Sequence, residues 1–138
     1  MLYGIMNCIA LSLFLEPAEI RKLVSLALNT DESRVFVASC DEELLNSPVN
    51  SLINVVFTKV PGEFPLWLDI CSESNTNDLD IAKSAQKYTD SPVLISDDSN
   101  DPFTWLYWSG NQLLKVSIDP IFNDETDGFK IEDVLGAA

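Results

Sequence analysis

The chain has 138 residues, 46% of them hydrophobic, and it carries 22 acidic against 8 basic residues, a net charge of −14. It contains no histidine, which excludes Ser-His-Asp and Cys-His catalysis and histidine-ligated metal sites. Because phosphates and anionic lipids are bound by clustered Lys and Arg, and the basic residues here are scattered, we expect no direct contact with nucleic acid or membrane.

The N-terminal third predicts a strand followed by a helix. Apolar residues alternate over 4–15 on both faces, as in a core strand. No basic residue precedes Arg21 and no cleavage motif follows the apolar run, so we expect a cytoplasmic protein without a signal peptide. Pro17 stands where a helix begins, and apolar residues at helical spacing continue until polar residues 29–31 end it.

The middle of the chain predicts three strands and a second helix. Residues 41–51 form a polar connector between the first two of these strands, which cover 34–39, 52–60 and 66–71. The helix is expected over 78–88, with Asn77 as its N-cap because Asn side chains accept hydrogen bonds from the first helical N–H groups.

The C-terminal part predicts three more strands and an acidic tail. Gly110-Asn111 is a two-residue hairpin signal between the last two strands, and the three cover 93–96, 103–108 and 112–118. Residues 119–138 are acidic and are expected to be less ordered, with a helical turn near 131–135.

The order of elements is β-α-β-β-β-α-β-β-β, which predicts an α+β fold. We expect a single domain over 1–138, with a mainly antiparallel sheet of six to seven strands and two main helices covering at least one face. Three widely spaced cysteines, Cys8, Cys40 and Cys71, lie in apolar or alternating runs. They are typical of buried free thiols in a reducing compartment.

Motifs for metal, phosphate or catalysis are weak in this sequence. Residues 123–128 begin like an EF-hand loop, but Val134 occupies the twelfth position, where calcium binding needs a bidentate Glu. Five glycines form neither a phosphate-binding loop nor a G-x-S-x-G elbow. We therefore expect no metal, no cofactor and no enzymatic activity.

The strongest candidate site is an acidic loop that leads directly into an aromatic strand. Aromatic anchors surrounded by charge are typical of protein–protein hot spots, and the residues concerned are Asp97, Asp98, Asp101, Trp105, Tyr107 and Trp108. Trp105 and Tyr107 share one face of the strand while Trp108 lies on the other, and the sequence does not decide which face is buried. Secondary candidates are acidic residues in loops, namely Glu73, Asp78, Asp124, Glu125 and Asp127.

With its Ser96–Trp105 run and the acidic stretch Asp119–Asp133, this histidine-free acidic chain resembles the immunity proteins of bacterial toxin systems. These include the inhibitors of contact-dependent inhibition toxins and of nuclease bacteriocins. The resemblance implies tight binding to a basic toxin domain. It fits a nuclease best, because a positive nucleic-acid-binding groove would accept carboxylates in place of phosphates.

Two other functions stay open at this point. An adaptor or scaffold subunit of a larger assembly would expose an apolar patch and self-associate or bind a neighbour. A carboxylate- or metal-dependent enzyme would place at least two acidic residues around one deep pocket. The sequence leaves the oligomeric state undetermined.

Overall fold

The structure is a computed structural model, and it describes residues 5–39 and 53–138. Eight strands form one sheet: β1 Ile5–Leu11, β2 Val35–Ala38, β3 Ile53–Lys59, β4 Leu66–Ser72, β5 Val93–Ser96, β6 Thr104–Ser109, β7 Gln112–Ile118 and β8 Ile131–Ala137. Their order is β2-β3-β4-β1-β5-β6-β7-β8. Only the β2–β3 pair is parallel among the described strands.

Two helices cover one face of the sheet, here called the helical face. They are α1, Pro17–Ala27, and α2, Asp78–Thr89. Each has an apolar stripe at i, i+3 and i+4, as expected for a helix with one buried side. These stripes pack on the strands in the larger core, whose fully buried members include Ile20, Leu23, Ile81, Ile9, Leu68 and Val55.

The opposite face, here called the aromatic face, carries a second and smaller core. Phe64 and Phe129 cover it, with Trp67, Trp105 and Tyr107 packed alongside. The two covering segments are tied together, because Glu63 N–H donates to the Phe129 carbonyl at 2.8 Å. At Gly62 (φ +102°) any side chain would be strained and its Cβ would collide with the Phe129 carbonyl, so glycine is required at this crossing.

The structure confirms the α+β class and the mainly antiparallel sheet. It also confirms the Asn77 cap, whose Oδ1 accepts from Asp80 N–H at 2.8 Å. The hairpin at Gly110-Asn111 joins β6 to β7, with Ser109 paired to Gln112. The first strand is shorter than the predicted 4–15 and ends at Leu11, because Ser12 and the following residues turn the chain toward Pro17.

The prediction for residues 119–138 is wrong, and the structure has one more strand and one more, short helix than expected. Instead of a loosely ordered tail, the chain forms a third helix, α3 Pro120–Thr126, and the eighth strand, β8. The carboxylate of Asp119 caps α3 by accepting from Ile121 N–H at 3.0 Å and Phe122 N–H at 3.1 Å. β8 forms where a helical turn was expected over 131–135. Pairing with β7 satisfies the hydrogen-bonding groups of its backbone. The prediction missed this pairing because no local sequence signal marks it.

Some predictions fall outside the part of the chain that the structure describes. These are the connector over 41–51 and the thiol of Cys40. Among the described helices, none has both the length and the apolar character needed to cross a bilayer.

Candidate functional site

The sheet opens between β1 and β5, and this opening forms a cleft. β1 pairs with β4 along all seven residues from Ile5 to Leu11, but it pairs with β5 only at Ala10 and Leu11. Ile9 and Cys8 are not paired with β5, and the residues of β1 before them extend beyond the end of β5 at Ser96. A cleft of about 410 Å³ lies there, within the range of ~300–1,000 Å³ that is usual for binding sites. We call it the β1–β5 cleft.

Asn7 is the most buried polar residue of the cleft, with 3% of its surface exposed. Its Nδ2 donates to the Thr76 carbonyl at 3.1 Å and to Asp78 Oδ1 at 2.6 Å. Both partners accept hydrogen bonds, so the amide cannot rotate by 180° without facing oxygen against oxygen. Its Oδ1 is buried and has no hydrogen-bond partner within residues 5–39 and 53–138, a condition that costs about 1–3 kcal/mol.

Two of the predicted acidic residues line the same cleft. Asp78 lies in the first turn of α2, and Asp98 lies in the β5–β6 loop, where it is exposed. Asp98 has a left-handed backbone with φ of 59°, stabilised by the bond from its N–H to Ser96 Oγ at 3.1 Å. The cleft is thus lined by two carboxylates, which can accept hydrogen bonds from a cationic donor.

Asp97 lies next to the cleft but has a structural role. Its side chain is 6% exposed and accepts from Thr104 Oγ1 at 2.7 Å and Ser99 N–H at 3.1 Å. Lys115 Nζ lies 3.7 Å from its Oδ2. Burial opposes ionisation, but the hydrogen bonds from Thr104 and Ser99 and the charge of Lys115 outweigh it, so the pKa of Asp97 is lowered. Its carboxylate closes the loop and is not free for a partner.

Asp101 also supports the loop, although it is exposed. Its Oδ1 accepts from Phe103 N–H at 2.9 Å, which sets the entry into β6. One residue further, the Pro102 carbonyl accepts from Trp105 Nε1 at 3.0 Å. Of the three predicted loop aspartates, Asp98 is therefore the one that contributes its side chain to the cleft.

The aromatic residues of β6 do not form one exposed patch. Trp105 lies on the aromatic face, with its ring centroid 5.1 Å from that of Phe129, and Tyr107 contacts Phe64 at 6.3 Å. Trp108 lies on the helical face, where Lys83 Nζ is 5.2 Å from its ring centroid. All six residues of β6 are half-buried, because both faces of this strand are covered. These rings stabilise the domain, and the structure places none of them in the cleft.

The remaining predicted residues are dispersed. Glu73 is exposed beside a separate pocket near α1, and Asp124 and Glu125 are exposed on α3. Asp127, the left-handed C-cap of α3, borders a second pocket of about 300 Å³ on the aromatic face. We call this the Trp67 pocket, since it is lined by Thr58, Val60, Trp67, Asp69, Asp127 and Phe129.

The acidic group inside the Trp67 pocket already has partners. Asp69 Oδ1 accepts from Trp67 Nε1 at 2.9 Å and from Cys8 Sγ at 3.0 Å. Burial, followed by this hydrogen bond and the charge of Asp69, raises the pKa of the Cys8 thiol to about 12. Cys8 and Cys71 are free, as predicted, but both are half-buried and not fully buried.

Sequence reasoning missed Asn7 as a candidate. A signal was present, because Asn7 is a polar residue in a strand whose neighbours on the same face, Ile5, Ile9 and Leu11, are all apolar. Asn7 becomes a candidate only through its hydrogen bonds, and the acceptors of those bonds lie 69 and 71 positions further along the chain.

The basic residues of the protein leave its acids largely unneutralised. Residues 5–39 and 53–138 form one salt bridge, between Lys115 and Asp97. Three other lysines, Lys59, Lys83 and Lys130, lie over the rings of Phe14, Trp108 and Phe122. With a net charge of −14, most carboxylates therefore face solvent without a cation from the same chain.

No protein-family model, curated protein or solved structure matches this chain.

Proposed function

We propose that this protein is a non-catalytic binding protein of the immunity type, which neutralises a basic toxin domain in the cytoplasm through charge-complementary contact. The observation that carries the proposal is the unneutralised acidic surface around an open cleft. The described residues form one salt bridge. Most of the acidic side chains behind the net charge of −14 are therefore available to a partner of opposite sign. Complementary charge raises association rates by about 10–10³-fold.

The inhibited partner is best understood as a nuclease. A nuclease groove is lined by cations that bind phosphates, and carboxylates at phosphate positions would block it. Asp98 and Asp101 are exposed on one loop, and Asp78 lines the same cleft as Asp98. These side chains present negative charge on a rigid frame, which limits the entropy lost on binding.

An adaptor function is the second candidate, supported by a different observation. β8 is the last strand of the sheet, and Val134 and Leu135 on it are 60% and 53% exposed. An exposed edge strand with apolar side chains can accept a strand from another protein. Concentration-dependent dimers or larger species in light scattering would favour this function over a charge-based inhibitor.

The enzyme alternative has one observation in its favour, since Asp78 and Asp98 line one cleft. Against it, Asp78 is already the acceptor for Asn7 at 2.6 Å, and the described residues contain no group of three acidic or cysteine side chains placed for a metal. We therefore place binding first.

The test is capture of the partner with the tagged, full-length protein from its native host, at about 50 mM and then about 500 mM salt. We expect one stoichiometric basic protein that is retained at low salt and released faster at high salt. That protein is then expressed alone and with the acidic chain. Toxicity that is relieved by coexpression, and nuclease activity inhibited in the purified complex, would support the proposal.

The control is an unrelated acidic protein of similar size and net charge, carried through the same capture. A protein that binds both baits equally is bound through non-specific charge attraction. The proposal is overturned if the specific bound protein is acidic or neutral, if it binds with no salt dependence, or if no protein is bound.

A further inference from the structure

We propose that the outer edge of β8 docks an extended basic segment of the partner, which adds to the sheet as a further strand. The inference rests on the proposed function, because the added segment belongs to the basic partner. It adds where that partner binds and which side chains its docking segment carries. We call residues 132–137 the β8 edge.

The backbone of the β8 edge is open to an added strand. β8 is the last strand in the order of the sheet, and its residues from Glu132 to Ala137 are all exposed. The exposed surface of Gly136 is backbone, since glycine has no side chain. Within the part of the chain that the structure describes, the backbone of these residues has no hydrogen-bond partner outside β7. Such an edge is a template for strand addition.

The start of the same strand already has a partner on its outer side. Ile131 N–H donates to Glu63 Oε1 at 2.6 Å, and Gly62 forms a parallel bridge with Phe129 just before β8. The segment between β3 and β4 therefore occupies the outer side of the chain as far as Ile131. This contact fixes the start of β8 and leaves residues 132–137 as the length over which another segment can pair.

Charge decides between a basic segment and a second copy of this chain. Glu132 and Asp133 lie on the β8 edge, and neither forms a salt bridge with a described residue. Two copies joined through this edge would bring together two chains that each carry a net charge of −14, and like charges on paired strands are destabilising. Charged residues on an edge strand suppress such self-pairing. A basic segment is attracted by the same two carboxylates.

The pairing of β8 with β7 predicts the side-chain pattern of the docked segment. Val134 is opposite Val116, which belongs to the core of the aromatic face. Directly opposite residues share one face of a sheet, so Val134 lies on the aromatic face, where it is 60% exposed. Its neighbour Asp133, opposite Ser117, lies on the helical face. A matching segment has a basic residue facing Asp133 and, next to it, an apolar residue facing Val134.

The probe is the acetylated and amidated peptide Thr-Lys-Val-Lys-Val-Thr, in which lysine and valine lie on opposite faces of a strand. It is titrated into the ¹⁵N-labelled full-length protein and followed by NMR. We expect saturable shifts in the backbone amides of residues 132–137, with Kd of about 0.1–1 mM. At about 90% saturation, hydrogen exchange of the β8 amides that face away from β7 should slow by about 10-fold, because pairing protects them.

Two control peptides separate backbone pairing from charge attraction. One has the same sequence with its four central amides N-methylated, which keeps both charges but removes the donors that pairing needs. The other has glutamate in place of both lysines. We expect each control peptide to bind at least about 10-fold more weakly than the probe.

Charge-reversal variants give a matched comparison within the protein. Asp133→Lys and Glu19→Lys each replace an exposed acidic residue with lysine, so both change the net charge equally. Glu19 lies on α1, which contacts β2 at the other end of the sheet. We expect Asp133→Lys to weaken the probe by about 5-fold and to strengthen binding of the glutamate peptide. Glu19→Lys should change either affinity by less than about 2-fold.

The proposal is overturned if the N-methylated peptide binds as tightly as the probe, if the largest shifts lie outside β7 and β8, or if both variants weaken binding equally. It is also overturned if the outer amides of β8 are already protected in a dimer of the wild-type protein, since the occupant is then a second copy. If the edge fails these tests while a basic partner is still captured, the proposed function stands without it. Specific binding of the probe with no basic partner captured would overturn the proposed function and leave the β8 edge as a docking site.

Discussion

The β1–β5 cleft and the Trp67 pocket lie on opposite faces of one sheet, and both combine carboxylates with apolar walls. They differ in hydrogen bonding. In the Trp67 pocket, Asp69 accepts from Trp67 and Cys8. In the cleft, the Nδ2 of Asn7 is bound by Thr76 and Asp78, but its buried Oδ1 has no partner in the part of the chain that the structure describes.

This difference separates a structural cluster from a candidate binding site. Trp67, Trp105 and Phe129 pack with their ring centroids within 5.1–6.0 Å of one another, and the polar atoms at their edge are paired. Such a cluster is complete without a ligand. Composition alone would rank the aromatic region first, whereas the hydrogen bonds rank the cleft first.

The strongest way to test this contrast is to break the aromatic cluster. Phe129 is 6% exposed and contacts both Trp67 and Trp105, so Phe129→Ala should lower the free energy of unfolding by about 3–5 kcal/mol. Urea denaturation measures this loss.

Phe14→Ala is the matched control for that variant. Phe14 is 38% exposed and its ring contacts Phe57 and Lys59, so the same substitution should cost about 1 kcal/mol. Equal losses for the two variants would contradict a buried role for Phe129.

A second test concerns Asp97, which lies beside the cleft but is predicted to be structural. Asp97→Ala removes acceptors used by Thr104 and Ser99 and the partner of Lys115. We expect a loss of about 2 kcal/mol in unfolding free energy near pH 7. The exposed Asp124→Ala, on α3, should change stability by less than about 0.5 kcal/mol.

The loss at Asp97 should depend on pH in a defined direction. Its pKa is lowered from the ordinary value of 3.8 in the folded protein, so its contribution is complete above that value and disappears as pH falls through the folded pKa. The stability difference between wild type and Asp97→Ala should be constant above about pH 5 and decrease below about pH 4. A difference that grows on acidification would rule out this role.

The smallest effect is expected at Cys8 and concerns reactivity. Because its pKa is raised to about 12, little thiolate exists near neutrality, and the thiolate is the species that reacts. Iodoacetamide at pH 8, followed by peptide mass spectrometry, should modify Cys8 at least about 100-fold more slowly than N-acetylcysteine. Reaction at a comparable rate would show that the contact with Asp69 does not hold the proton.

Much of the fold was predictable because its signals are local. The apolar stripe of α1, the Asn77 cap of α2 and the turn at Gly110-Asn111 each depend on residues within a few positions. β8 could not be predicted in this way. Its residues are almost all exposed, so no alternation of apolar residues marks it, and its pairing with β7 is settled in three dimensions.

The candidate site, like the fold, was predictable only where its signals are local. Acidic loops were identified from sequence, and Asp78 and Asp98 do line one cleft. The structure does not group Asp97 and Trp105 with these two residues, because the Asp97 side chain is nearly buried and Trp105 packs on Phe129. Whether a carboxylate is free depends on donors that arrive from other elements, and a list of residue types does not contain that information.

The sequence by itself determined the α+β class, the two main helices and the charge of −14, because these follow from local periodicity, capping residues and composition. The tertiary structure alone decided that β1 pairs with β5 only at Ala10 and Leu11 and that the Asn7 amide binds Thr76 and Asp78. The reason is physical: both features depend on where a strand pairing stops, and on hydrogen bonds between residues about 70 positions apart.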